Sequence, residues 1–207
     1  TLASKWLKKV ELFFIQFLTI SFLIHIDFLN KLNTNVSSYT YLCHNLMEIK
    51  SKMFSYLKFW LKSSNQHGLH SPFVYNYLTK GLYEVKNQSD KKQLNWILKS
   101  INYFNPNKIF VCDASKNQLV QFHQKQTEFF EDADLIFINS NSGFDLDELI
   151  SKMNSEQLLF ICNEKYQSSL QRKLQNDDSV IVLVDFYVGS LISKRTEQLK
   201  QNFFLRL

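Results

Sequence analysis

Four short apolar runs recur in the second half of the chain. They are Ile109-Phe110-Val111-Cys112, Leu135-Ile136-Phe137-Ile138, Leu158-Leu159-Phe160-Ile161-Cys162 and Val180-Ile181-Val182-Leu183-Val184, each starting 22 to 26 residues after the last. Runs that are apolar at every position, rather than at alternate ones, are what strands buried on both faces require. Between them lie more polar stretches with apolar residues at helical spacing, such as Leu146, Leu149, Ile150 and Met153. This alternation predicts an α/β domain on a largely parallel sheet. Beyond residue 186, Tyr187-Val188-Gly189 separates the last run from Ser190-Leu191-Ile192-Ser193. That gap predicts an antiparallel hairpin, then a helical turn rich in Lys, Arg and Gln.

Upstream, Ser71-Pro72 predicts a helix start. Ser supplies the capping oxygen, and Pro in the first turn loses only an N–H that has no partner there. That helix continues through Val74, Tyr77, Leu78 and Leu82. A second, over about residues 90–104, puts Leu94, Ile97, Leu98 and Ile101 on one face, and Asn105-Pro106-Asn107 stops it. Earlier still, Leu42, Leu46, Ile49, Met53, Tyr56, Leu57 and Trp60 predict a helix over about 41–61, with its lysines on the wet side. The polar residues 33–40 read as a linker.

Residues 1–50 differ in kind. Lys5, Lys8 and Lys9 precede an apolar run over residues 12–24, with Phe28 and Leu29 beyond it. Glu11, Gln16, His25 and Asp27 interrupt or bound that run, which falls short of the roughly 20 residues a membrane span needs. It resembles a signal sequence without a small-residue cleavage site. Three readings fit: a helix packed on the rest of the protein or on a partner, a membrane anchor with contact through residues 5–29, or an upstream stretch foreign to the domain. The chain does not begin with Met, which leaves its start open.

Composition narrows this little. The 207 residues suit one domain with an appendage, and 45% are hydrophobic. The net charge of +5 comes from scattered Lys and Arg, so no specific nucleic-acid surface is indicated. Cys43, Cys112 and Cys162 are far apart and form no CxxC. Neither a disulfide framework nor a zinc site follows, and a reducing cytoplasm fits best. No G-x-S-x-G and no P-loop occurs, which excludes the commonest hydrolase and nucleotide-phosphate signatures.

The stretch His67-Gly68-Leu69-His70-Ser71-Pro72-Phe73 resembles the HGxHSPF element of bacterial class I S-adenosylmethionine (SAM)-dependent methyltransferases of Bacteroidetes type. Asp185-Phe186-Tyr187-Val188-Gly189, then Lys194-Arg195, Glu197-Gln198, Lys200-Gln201 and residues 203–207, resemble the same family's ending. The resemblance covers roughly 51–207, which sets the domains at 1–50 and 51–207. It implies a Rossmann-like methyltransferase core behind a helical N-terminal region. The family's strand order is 3-2-1-4-5-7-6.

The family holds SAM with an acid at the end of the first strand and a loop of glycines, where the chain approaches the cofactor without a Cβ. Here Asp113 matches the acid, but Ala114, Ser115, Lys116, Asn117 and Gln118 follow, with no glycine. Only about 22 residues separate Asp113 from Leu135, room for one helix. The resemblance therefore implies that strands 2 and 3 are deleted, together with the acid that binds the ribose. About five strands remain, with the Ile109 strand at a bare edge open to a second copy or a protein partner. Asn139 stands where Asp is usual, Ser140 where Gly is usual, and Asn141 matches an Asn. Cys162 and Asn163 replace paired aspartates, and an amide is neither a base nor a good ligand for a hard cation.

The expected outcome is a degenerate methyltransferase without a cofactor. A working enzyme holding SAM through Asp113, Ala114, Ser115, Asn139 and Asn141, with His67 or His70 near the acceptor, is the alternative. A membrane-tethered interaction protein is a third. No metal is expected. His67 and His70 are otherwise read as residues that bond locally before the helix cap.

Overall fold

The computed structural model describes residues 36–65, 67, 69–112, 119, 122, 124–140, 143, 145–163, 167–197 and 199–207. The segment expected to touch a membrane, 5–29, lies outside them. The chain divides into two compact units, Thr1–Ser51 and Lys52–Leu207.

Helix α1 spans Val36–Lys62. Residues 36–40, read as linker, are therefore helical. The helix ends at Ser63, whose N–H bonds to the Phe59 carbonyl (2.8 Å) while its hydroxyl donates to that of Trp60 (2.9 Å). Helix α2 (Pro72–Asn76) starts as predicted, with Ser71 accepting from the Val74 N–H and Pro in its first turn. It runs on into a π-helical segment, Tyr77–Tyr83. Helix α3 (Lys92–Phe104) ends on Asn105, which takes the left-handed conformation (φ 42°) common at helix ends.

The strands are β1 (Ile109–Val111), β2 (Gln126–Thr127), β3 (Leu135–Asn139), β4 (Leu158–Cys162), β5 (Val182–Asp185), β6 (Gly189–Ser193) and β7 (Gln201–Phe204). Helix α4 (Leu146–Lys152) joins β3 to β4, and α5 (Ser168–Asn176) joins β4 to β5. The sheet has seven strands in the order β2-β1-β3-β4-β6-β5-β7. It is mixed, not largely parallel: β6 runs antiparallel to both β4 and β5.

Four further expectations change. First, β1 is not at an edge, because β2 pairs parallel with Ile109 and Phe110. Second, where the sequence leaves room for one helix between 113 and 135, the described residues hold 3-10 positions at 119, 122 and 124–125, then β2 and a 3-10 turn, Phe130–Asp132. An exposed edge only two residues long offers little to pair with, which is one way sheets protect themselves. Third, among the described residues of 194–200 the expected helical turn amounts to a turn at Thr196 and Glu197. Fourth, the chain instead adds β7, parallel to β5, and Ser64 bridges to Leu205 just past it.

Strand residues alternate between two buried layers. Ile109, Val111, Leu135, Phe137, Phe160 and Val184 face one way and pack with α2, the π-helical segment and α3. Ile136, Ile138, Leu159, Ile161, Leu183 and Ile192 face the other way and pack with α4 and α5. This is why the strands read as continuous apolar runs. The first layer is strongly aromatic. Phe137 stacks on Phe160 at 4.6 Å, and Trp96 touches both Phe160 and Phe186. Such ring pairs add about 0.5–1.5 kcal/mol each beyond their buried area.

Gln157 fastens the crossover from β2 to β3. Its amide N–H groups donate to the carbonyls of Phe130, Glu131 and Ala133 at 2.9, 3.1 and 2.9 Å. Its Oε1 accepts from the Asn154 N–H at 3.0 Å.

Candidate functional site

In open α/β sheets, ligands bind in the crevice beyond the carboxyl ends of the strands. Here that edge is built by the residues after β1, β3 and β4. Cys112 is buried there. Asp113, Ala114, Ser115 and Asn141, expected to hold a cofactor, lie outside the described residues. Asn139 ends β3, half-buried and in register with Cys162. The next N–H, of Ser140, donates to the Cys162 carbonyl at 2.9 Å. Burial pushes the Cys162 thiol up to about 12. At neutral pH it is a packing group, not a nucleophile.

Asn163 is the unusual residue at this edge. Its backbone is fully used: the N–H donates to the Val188 carbonyl (3.1 Å), and its carbonyl accepts from Gln93 Nε2 (3.1 Å), which also reaches Val188. Its side chain is 6% exposed, yet neither Oδ1 nor Nδ2 has a hydrogen-bond partner. A few residues on, Gln171 of α5 donates to Ser190 of β6 while its own Oε1 is unpaired. A buried amide without partners costs about 1–3 kcal/mol, so it persists against stability. Asn163→Leu, which keeps the branching at Cγ with some added volume and removes the orphaned atoms, is therefore expected to raise the chemical-denaturation midpoint. Destabilisation by this change would show that the amide has a partner.

Behind this edge Trp96, Tyr77 and Ser100 satisfy one another. Trp96 Nε1 donates to Tyr77 Oη (2.9 Å), and the Ser100 hydroxyl donates to the Trp96 carbonyl (2.7 Å). Ser100 has one hydrogen, so the remaining 2.6 Å contact is Tyr77 donating to Ser100. Burial raises the Tyr77 pKa and outweighs both of these bonds, which lower it. The phenol is thus held neutral as a structural group.

The structure does not bring the histidines to this edge. His67 and His70 are exposed, and neither makes a hydrogen bond or ion pair among the described residues. His70 leads directly into Ser71 and Phe73. Phe73 packs on Phe104, at the end of α3 before β1 begins, and under the Arg195 guanidinium, just past the end of antiparallel β6. Both contacts mark the amino-terminal end of the sheet, opposite Asn139 and Asn163. Sequence reasoning missed Glu128, which directly follows β2 and is exposed. A two-residue strand, Gln126-Thr127, carries no apolar run that could have revealed it.

Among the described residues, no group of three His, Cys, Asp or Glu could hold a metal ion, and no helix is long and apolar enough to cross a membrane.

Fold and site define an α/β protein with a mixed seven-stranded sheet and an amide-rich carboxyl edge. No protein-family model, no curated protein and no solved structure matches the chain.

Proposed function

We propose that this chain is a class I SAM-dependent methyltransferase-like protein of Rossmann-like fold that has lost its cofactor and works by binding a partner. The observation that carries the reading is the position of β6. An antiparallel strand inserted between the last two parallel ones is the family's arrangement. Six strands in the order β2-β1-β3-β4-β6-β5 then correspond to the family's 2-1-4-5-7-6, with strand 3 absent and β7 added.

The residues present do not fit SAM. After β1 the first glycine is Gly143, beyond β3. In sequence, the ends of β1, β3 and β4 carry Cys112-Asp113, Asn139-Ser140 and Cys162-Asn163, so Asp113 is the one acid left of those the resemblance implies. On this reading a protein partner or a second copy carries the function, and the buried cysteines Cys112 and Cys162, neither in a disulfide, suit a reducing cytoplasm.

One observation favours a working enzyme instead. Glu128 follows the strand that lies where the family holds its ribose-binding acid. Calorimetry with SAM and S-adenosylhomocysteine on the full chain separates the two. No heat at millimolar ligand is expected. Micromolar binding, lost in Glu128→Gln, would sink the proposal and leave the enzyme reading.

A further inference from the structure

We propose that the cavity between the amino-terminal half of α3 and the π-helical segment binds a small monocarboxylate with an apolar body. This inference does not rest on the reading above. The cavity measures about 210 Å³. Its walls include Leu82, Trp96 and Leu207, and Lys99 and Lys92 reach it from α3.

Lys99 is the main observation. It is 7% exposed, and its ammonium makes one hydrogen bond, to the Leu82 carbonyl at 2.7 Å. No ion pair reaches it among the described residues. Buried charges are ordinarily paired, because desolvation of an ammonium is costly. Burial accordingly pulls the Lys99 pKa below the usual lysine value, with no opposing carboxylate. Glu84 and Asp90 are near in sequence, but neither lines the cavity.

The remaining polar atoms give the site its sign. Asn95 Oδ1 accepts from the Gln88 N–H (2.8 Å), and Asn87 Oδ1 accepts from Asn95 Nδ2 (3.0 Å). The Tyr83 hydroxyl donates to the Arg206 carbonyl (2.9 Å). Each of these amide oxygens already accepts one hydrogen bond, whereas donors remain on Lys99 and Lys92. Helix α3 also presents its positive end here, with Lys91 and Lys92 at its start, no acid in its first turn and no side-chain cap. Placing cations at that end is unfavourable unless an anion sits nearby. A cavity lined by two ammonium groups and by no Asp or Glu side chain favours an anion. One buried ammonium matches one negative charge, and the walls of Leu82, Trp96 and Leu207 match an apolar body rather than a bare inorganic ion.

The test uses the full chain, with benzoate, its neutral analogue benzamide, and inorganic phosphate as probes, followed by calorimetry and thermal shift. Benzoate is expected to bind at least tenfold more tightly than benzamide or phosphate. In Lys99→Met, which keeps the stem and removes the charge, benzoate affinity is expected to fall at least tenfold while the ligand-free melting temperature does not drop. The proposal is overturned if benzamide binds as well as benzoate, if phosphate binds better, if no probe binds at about 10 mM, or if Lys99→Met binds benzoate unchanged. The comparison of probes on the unmodified chain decides the matter even if that variant fails to fold.

Discussion

Trp96→Ala is expected to lower the unfolding free energy by about 3–5 kcal/mol, the range for emptying a large aromatic site in a core. Trp96 is 1% exposed and contacts Phe160 and Phe186, one from each of two chain segments that meet in the sheet. Its loss also takes the indole donor from Tyr77. Trp96→Phe keeps most of the ring contact and removes only that donor together with part of the volume. Its cost should be well under half that of alanine. Urea titrations followed by circular dichroism give both values. Equal costs for the two variants would mean that the hydrogen bond, not the packing, dominates. Against a total stability of about 5–15 kcal/mol for a domain, the alanine variant is at risk of unfolding outright.

Gly189→Ala is the second large effect, and it arises at the same place. A Cβ at Gly189 would run into the Trp96 ring at Cζ3 and Cη2 (2.8 Å to the latter) and lie 2.7 Å from the Ile161 carbonyl oxygen. The ring is fixed by its bond to Tyr77, and the carbonyl belongs to β4, so neither can step aside cheaply. Overpacking of this kind costs about 1–3 kcal/mol, occasionally more. Gly189 starts β6, so the strain falls on the antiparallel insertion that sets the strand order. A double variant, Trp96→Leu with Gly189→Ala, should cost less than the sum of the singles, because the smaller side chain leaves room for the methyl. Strict additivity in denaturant titrations would show that the Ile161 carbonyl, not the indole, is the obstacle.

The sequence was legible where burial imposed a pattern. Continuous apolar runs located β1, β3, β4 and β5, because strands covered on both faces tolerate no polar position. Ser71-Pro72 and Asn105 marked helix ends, because capping chemistry is local. Strands at the margins escaped. Gln126-Thr127 and Gln201-Asn202-Phe203-Phe204 are only partly buried or exposed, so their hydrophobicity carries no period. Both are defined by the partner they pair with, which is information held elsewhere in the chain. The boundary of α1 failed for a similar reason. Ser37, Ser38 and Thr40 have turn propensity, but they are helical here within a long element. At the candidate site, the residue types at the strand ends, Cys112, Asn139, Cys162 and Asn163, were legible. It did not show that Asn163 is buried without partners, or that the His67–His70 stretch leads to the opposite end of the sheet, since both depend on how the layers stack.

The bridge between Ser64 and Leu205 has a consequence for the order in which the molecule assembles. It joins positions far apart along the chain, as does the stacking of Arg206 on Trp60 at 4.8 Å. Closing so wide a loop is entropically costly and brings no local reward until the intervening sheet exists. The end of α1 should therefore dock on the segment past β7 late, after the sheet has condensed with its helices. Interactions formed after the rate-limiting step act on the rate of unfolding rather than of folding. Loosening the Trp60–Arg206 clasp should then steepen loss of the native state in time while leaving its recovery almost unaltered, a difference visible in the two limbs of a chevron plot. This seam is the fastening of the domain, the last part closed and the first released.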